Sequence, residues 1–173
     1  MSVRAKANYE DVVKRFQNIL DLTQDFKPLF TKIVGRGENP EPWTLRGSAK
    51  FSFENEVDLK NKKWEKLSKN YKEYKSKNYS SDLPILLLTG YLYNSLVNRG
   101  KDNVFIKKPT SFIFGTSAIH ATTHQFGDRS RGIPARPFLG FRKNQKLRIQ
   151  LEIRKYIVNV YKRKQRIESG GGE

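Results

Sequence analysis

The sequence predicts an α+β fold: a small antiparallel sheet flanked by a long N-terminal helix, a central helix and a C-terminal helix. Three observations predict it. Apolar residues recur at three- and four-residue steps over 8–34 and again over 144–167, the period of a one-faced helix. A shorter apolar stretch around Leu92 and Leu96 follows a plausible helix start at Thr89-Gly90. Val104-Phe105-Ile106 and Phe112-Ile113-Phe114, joined by Lys107-Lys108-Pro109-Thr110, are two short strand-like runs that read as a hairpin.

In chain order, Val12, Phe16, Ile19, Phe26, Phe30 and Ile33 line one side of the first helix, with Asn8 as its cap. Pro28 falls inside this pattern and should kink or interrupt it, and Gly35 and Gly37 should end it. Gly35, Gly37, Pro40, Pro42 and Gly47 then make 35–50 a loop or extended arm, and its Trp43 calls for burial on this domain or on a neighbour. Phe51, Phe53 and Val57 suggest a short extended piece. Trp64, Leu67, Tyr71 and Tyr74 step by three, four and three through a lysine-rich stretch, 58–79. Aromatics at that spacing are expected on the core side of a surface helix with the lysines in water. The other reading is a platform of rings and lysines for nucleic acid.

Residues 144–167 place Ile149, Ile153, Tyr156, Ile157, Val160, Tyr161 and Ile167 roughly on one face, with Asn144 as a possible cap. Leu147, Ile149, Leu151 and Ile153 also alternate, so a strand competes for the first part. The expected organisation is one domain over 1–168 and a flexible tail, 169–173.

Composition narrows the function. Of 173 residues, 36% are hydrophobic and 29% charged, which leaves much of the chain as surface, arm or loop. The longest apolar run, Ile85–Leu88, is far too short to span a membrane. Met1–Lys6 is basic but no apolar run follows it, so a secretory signal is not expected. The absence of cysteine removes disulfides, thiolate nucleophiles and cysteine metal sites together. The net charge of +17 favours polyanionic partners. Arg142–Glu168 alone carries ten Lys/Arg against two Glu, a local +8.

No chemical motif stands out, so no catalytic residue, metal or cofactor is expected. His120 and His124 have the spacing of paired zinc ligands, but the glutamate of an H-E-x-x-H motif is missing and threonines beside strands make a poor helix. Phosphate-binding glycine loops and a nucleophile elbow are also missing. The run Ile133-Pro134-Ala135-Arg136-Pro137-Phe138-Leu139-Gly140-Phe141 is different. Its prolines enforce an extended, stiff backbone that presents Arg136 in one direction, while Phe138, Leu139 and Phe141 anchor it by burial. Such a strap suits a fixed contact with another protein or a crossover with Arg136 paired internally, and the two readings are compatible.

Several of these pieces together resemble the phage virion morphogenesis family, the tail-completion proteins of Mu-like and P2-like phages. The resemblance rests on Lys63-Trp64-Glu65-Lys66-Leu67 followed by Tyr71 and Lys75, on Leu86–Leu96 with its Thr89-Gly90 pair, and on Phe114-Gly115-Thr116. It rests most specifically on Ala118–Gly127, which contains His124-Gln125-Phe126-Gly127, and on Ile133–Gly140. It covers about Phe51 to Tyr161; the loop with Trp43 has no counterpart in it.

The resemblance implies a non-enzymatic structural component at the head–tail junction of a tailed-phage virion, assembled in the host cytoplasm. It implies a homo-oligomeric ring, six- or twelve-fold, next to portal or head-completion proteins and tail-terminator or tail-tube proteins, with possible non-specific contact with lumenal DNA and none with membrane. Trp64, Gly90, His124, Gln125, Gly127, Pro134, Arg136, Pro137 and Phe138 are the motif and expected assembly residues, and Trp43 the expected arm contact. His124 and Gln125 would hold their loop by hydrogen bonds, and segments 35–50, 116–136 and the last helix would bridge to neighbours. The competing expectation is a basic nucleic-acid-binding protein using 60–77 and 142–166, whose affinity would fall steeply with salt.

Overall fold

The structure, a computed structural model, describes residues 25–169. It is α+β: six α-helices and one two-stranded antiparallel sheet among those residues. The first part of the predicted N-terminal helix, 8–24, and the tail 170–173 lie outside them.

Helix α1 spans Lys27–Val34. Pro28 stands in its first turn, where a missing N–H costs no helical hydrogen bond. The predicted helix includes Phe26, but α1 starts at Lys27 with Phe26 outside it. Gly35 ends α1 at φ +108°, and a Cβ there would lie 2.7 Å from Thr44 Oγ1.

Residues 35–44 are not an extended arm. They form a compact loop that leads into α2, Leu45–Asn55, capped by the Thr44 hydroxyl accepting from Gly47 N–H at 3.1 Å. The expected extended piece at Phe51–Val57 is thus mostly helix. Its buried side interleaves Leu45, Ala49 and Phe53, four residues apart, with Arg46, Ser48 and Ser52, so a short apolar period is diluted by polar residues. Gly47 lets α2 press on the loop, since a Cβ there would lie 2.0 Å from the Glu41 carbonyl oxygen.

The lysine-rich stretch is also not one helix. Asp58 Oδ1 accepts from the N–H groups of Lys60 and Lys62 and turns the chain, Val57 bridges Lys63, and Trp64 sits buried outside any helix. Helix α3 starts only at Lys69 and runs to Asn78, capped by Ser68. Tyr71 and Tyr74 on it are 42% and 50% exposed, so the expected core-facing aromatic side is turned to solvent instead.

Helix α4, Tyr91–Val97, buries Leu92, Leu96 and Val97. Strands β1, Asn103–Lys107, and β2, Phe112–Thr116, pair in the register Phe105↔Phe114 and Ile106↔Ile113. Helix α5 is Ala121–Phe126, so the threonine-rich segment is helical after all. A single 3-10 turn, Arg129–Arg131, leads into the strap. Helix α6, Lys143–Ser169, is continuous, which rejects the strand reading and places Asn144 inside the helix instead of at its cap.

Two apolar clusters hold these elements. In the first, Ala49 and Phe53 of α2, Trp64, Leu92 and Leu96 of α4, Ala118, Ala121 and Phe138 come together. In the second, Leu29, Phe30, Ile33 and Val34 of α1 meet Leu45, the sheet aromatics and Ile149, Ile153 and Tyr156 of α6. Helix α2 contributes to both and so joins them.

Candidate functional site

All the predicted motif residues except Gly90 converge on one construction: the strap 133–140, held between α5 and the Trp64–Lys66 segment. The helix α5 supplies the clamp. Gln125 Nε2 donates to the Leu139 carbonyl at 2.9 Å, while its Oε1 accepts from Phe138 and Leu139 N–H, each at 3.1 Å. A glutamine side chain here does what a paired strand would do, donating to and accepting from the backbone. The His124 carbonyl accepts from Arg136 N–H at 2.7 Å.

Gly127 then turns the chain at φ +81°, where a Cβ would lie 2.8 Å from Ala135 N and 3.0 Å from the Ile133 carbonyl. Only glycine allows α5 to end this close to the strap. Asp128 and Ile133 exchange two backbone hydrogen bonds, closing a small loop around the 3-10 turn. Asp128 caps that turn through Ser130 and Arg131, whose hydrogen bonds hold its carboxyl down at about 2.

On the other side, Arg136 is buried and its guanidinium donates to the Glu65 carbonyl at 3.1 and 3.0 Å and to Lys66. Burial lowers its proton affinity, opposed by Glu65 and Tyr71. Trp64 Nε1 donates to the Pro137 carbonyl at 3.2 Å, and Phe138, 1% exposed, packs on Phe53 with ring centroids 5.3 Å apart. Pro134 and Pro137 are half-buried beside these anchors. Of the two uses open to Arg136, the structure shows internal pairing.

The strap ends where Arg142 gathers four oxygens: Ser48 Oγ at 3.0 Å, the Asp58 carbonyl at 3.0 Å, Ser52 Oγ at 2.6 Å and Asn61 Oδ1. Gln145 bolts the start of α6 to the start of α2, accepting from Arg142 N–H at 2.8 Å and donating to the Thr44 carbonyl at 2.7 Å.

His124 departs from expectation. It holds the strap through its backbone, while its buried Nδ1 has no hydrogen-bond partner. Burial first, then Arg136, His120 and Arg131, push its pKa below the ordinary value. Among the described residues no three His, Cys, Asp or Glu side chains gather as a metal site requires.

Gly90 and Trp43 sit elsewhere. Gly90, at φ +72°, is the N-cap of α4. Trp43 docks on its own chain: its indole N–H donates to Glu41, and Arg148 lies over its ring at 5.7 Å. With Lys32, Glu152 and Tyr156 it lines a groove of about 550 Å³ between α1, the loop and α6. In that groove Glu152, 3% exposed, meets Lys32 at 2.7 Å, with Arg148 and Lys155 at 3.5 and 3.6 Å.

Three anchoring cations were invisible in the sequence. Arg46 donates to the carbonyls of Gly35, Gly37 and Val97. Lys75 donates to those of Leu83, Pro84 and Ile85, and Arg142 acts as described above. A buried cation that binds carbonyls needs no acidic partner, so no charge pattern announces it. Lys75 appeared only as one residue of the family motif.

Beside the exposed Arg129 and Arg131, the strap construction offers large apolar side chains outward. Ile119 and Phe126, at the two ends of the α5 segment, are 82% and 75% exposed. On the outer face of the hairpin the cross-strand partners Ile106 and Ile113 are 51% and 57% exposed. Aliphatic and aromatic side chains this exposed mark contact surfaces when they cluster.

A sequence model described as the phage virion morphogenesis family matches residues 7–158, most of the chain. No curated protein and no solved structure matches it.

Proposed function

Because the chain belongs to the phage virion morphogenesis family, we propose that it works at the head–tail junction of a tailed-phage particle, as a neck or tail-completion component that completes or joins the tail. The family makes it a structural or assembly protein of a phage virion. The finer placement is supported by one observation above the others. The residues with the most specific resemblance, 118–127 and 133–140, build a strap fixed internally by Gln125 and Arg136, and they expose two large apolar side chains, Ile119 and Phe126. That arrangement suits a scaffold that presents a contact loop.

In this reading copies of the chain form a ring, six- or twelve-fold. A heterologous ring needs two different complementary patches on each subunit. Ile119 with Phe126 supplies one candidate and Ile106 with Ile113 the other. The ring's neighbours are portal or head-completion proteins on one side and tail-terminator or tail-tube proteins on the other.

Imaging of particles made without this protein tests the placement. Filled heads and separate tails are expected; intact joined particles would overturn it.

A further inference from the structure

We propose that α3 and the segment before it form a binding face for single-stranded nucleic acid, with Tyr71 and Tyr74 as stacking surfaces and the surrounding lysines as phosphate contacts. The inference stands apart from the placement of the protein in the particle.

The helix is unusual in what holds it. Lys75 is the only buried residue of α3, and its ammonium is taken up by the carbonyls of Leu83, Pro84 and Ile85. A ten-residue helix is marginal alone, so this polar anchor and the Ser68 cap do the work that an apolar face does in most helices. The tyrosines are therefore not its core side. Tyr71 and Tyr74 stack on each other with centroids 6.0 Å apart, Tyr79 meets Tyr74 edge-on at 6.4 Å, and all three are 42–50% exposed.

The segment that carries the rings, 60–77, holds seven exposed lysines, at 60, 62, 63, 66, 69, 72 and 77, against two exposed glutamates, Glu65 and Glu73. Lys66, Lys69, Lys72 and Lys77 take part in none of the ion pairs among the described residues. The partner must be anionic. The same face of a second copy carries the same exposed lysines and is repelled from this one. Protein interfaces enrich tyrosine but deplete lysine. A strand with phosphates and unpaired bases satisfies both features, since lysines track the backbone and exposed rings stack on bases without regard to sequence.

The test titrates the full-length chain against a labelled single-stranded oligonucleotide of mixed sequence, its duplex, and polyglutamate, across a salt series. The Tyr71→Ala/Tyr74→Ala variant is expected to bind the single strand roughly ten-fold or more weakly, and Tyr71→Phe/Tyr74→Phe to bind it as the parent does. Polyglutamate binding should be untouched by either. Lys69→Gln/Lys72→Gln should flatten the single-strand salt slope by about 1.4, from ~0.7 per lysine. The proposal is overturned if the alanine pair keeps parental single-strand affinity, if it loses polyglutamate or duplex binding equally, or if only Lys162→Gln/Arg163→Gln on α6 weakens binding. None of these outcomes bears on whether heads and tails are joined.

Discussion

Gln125 and Leu139 are joined twice: the side-chain amide of one donates to the peptide carbonyl of the other and accepts from its N–H, at 2.9 and 3.1 Å. Gln125→Glu keeps the shape but replaces the donor with a charged acceptor facing a carbonyl. A lost partner for a buried polar group costs about 1–3 kcal/mol, and more when charge is involved. Urea unfolding should show Gln125→Glu destabilised at neutral pH by at least as much as Gln125→Ala.

Arg136 binds carbonyls through a fork, so its charge is not what matters most. Lysine can reach one oxygen but cannot reproduce the two contacts on Glu65. Arg136→Lys should lose about 1–2 kcal/mol and Arg136→Ala about 3 kcal/mol, the latter leaving the Glu65 carbonyl and a cavity behind. Denaturation midpoints read both.

Two glycines separate packing from backbone conformation. Gly47→Ala drives a Cβ into the Glu41 carbonyl oxygen at 2.0 Å and should cost roughly 3 kcal/mol or prevent folding. Gly37, at φ +68° with nothing near its Cβ position, should cost only the left-handed penalty of about 1–2 kcal/mol on change to alanine. Thermal unfolding of the two variants checks the order.

Acid should act in two stages. His124 is held neutral, its folded pKa below the unfolded value near 6.5. Its contribution is complete above the unfolded pKa and is lost as pH falls through the folded one. Glu152 is held ionised by Lys32 first and then Lys155 and Arg148, so its folded pKa also lies below the unfolded value, 4.5. Its contribution is complete above 4.5 and disappears at lower pH still. His124→Gln should remove the stability loss that begins near pH 6.5, and Glu152→Gln the later one, when unfolding is followed across pH.

The sequence showed most clearly those elements that bury apolar side chains at a regular period. Helix α6 and the hairpin fall where Ile149, Ile153 and the Phe105–Phe114 pair place them. Helix α2 escaped because its short apolar period, Leu45, Ala49 and Phe53, is interleaved with Arg46, Ser48 and Ser52, whose burial depends on partners far along the chain. The tyrosines of α3 were assigned to the wrong side because spacing shows which residues share a face, not what covers it. At the strap, the prolines made stiffness legible, but the direction of Arg136 stayed open until the Glu65 carbonyl was in view. The clamp role of Gln125 was an implication of family resemblance and could not have come from periodicity.

The central claim is that the strap is an internal scaffold that presents Ile119 and Phe126 to neighbouring virion proteins. Complementation of particle assembly with Ile119→Asp/Phe126→Asp tests it most directly, since both side chains are mostly in water and their replacement should leave the unfolding midpoint near that of the parent. The account predicts a stable, folded variant that leaves filled heads and tails unjoined. Joined, infectious particles formed at the parental level by that variant would contradict it.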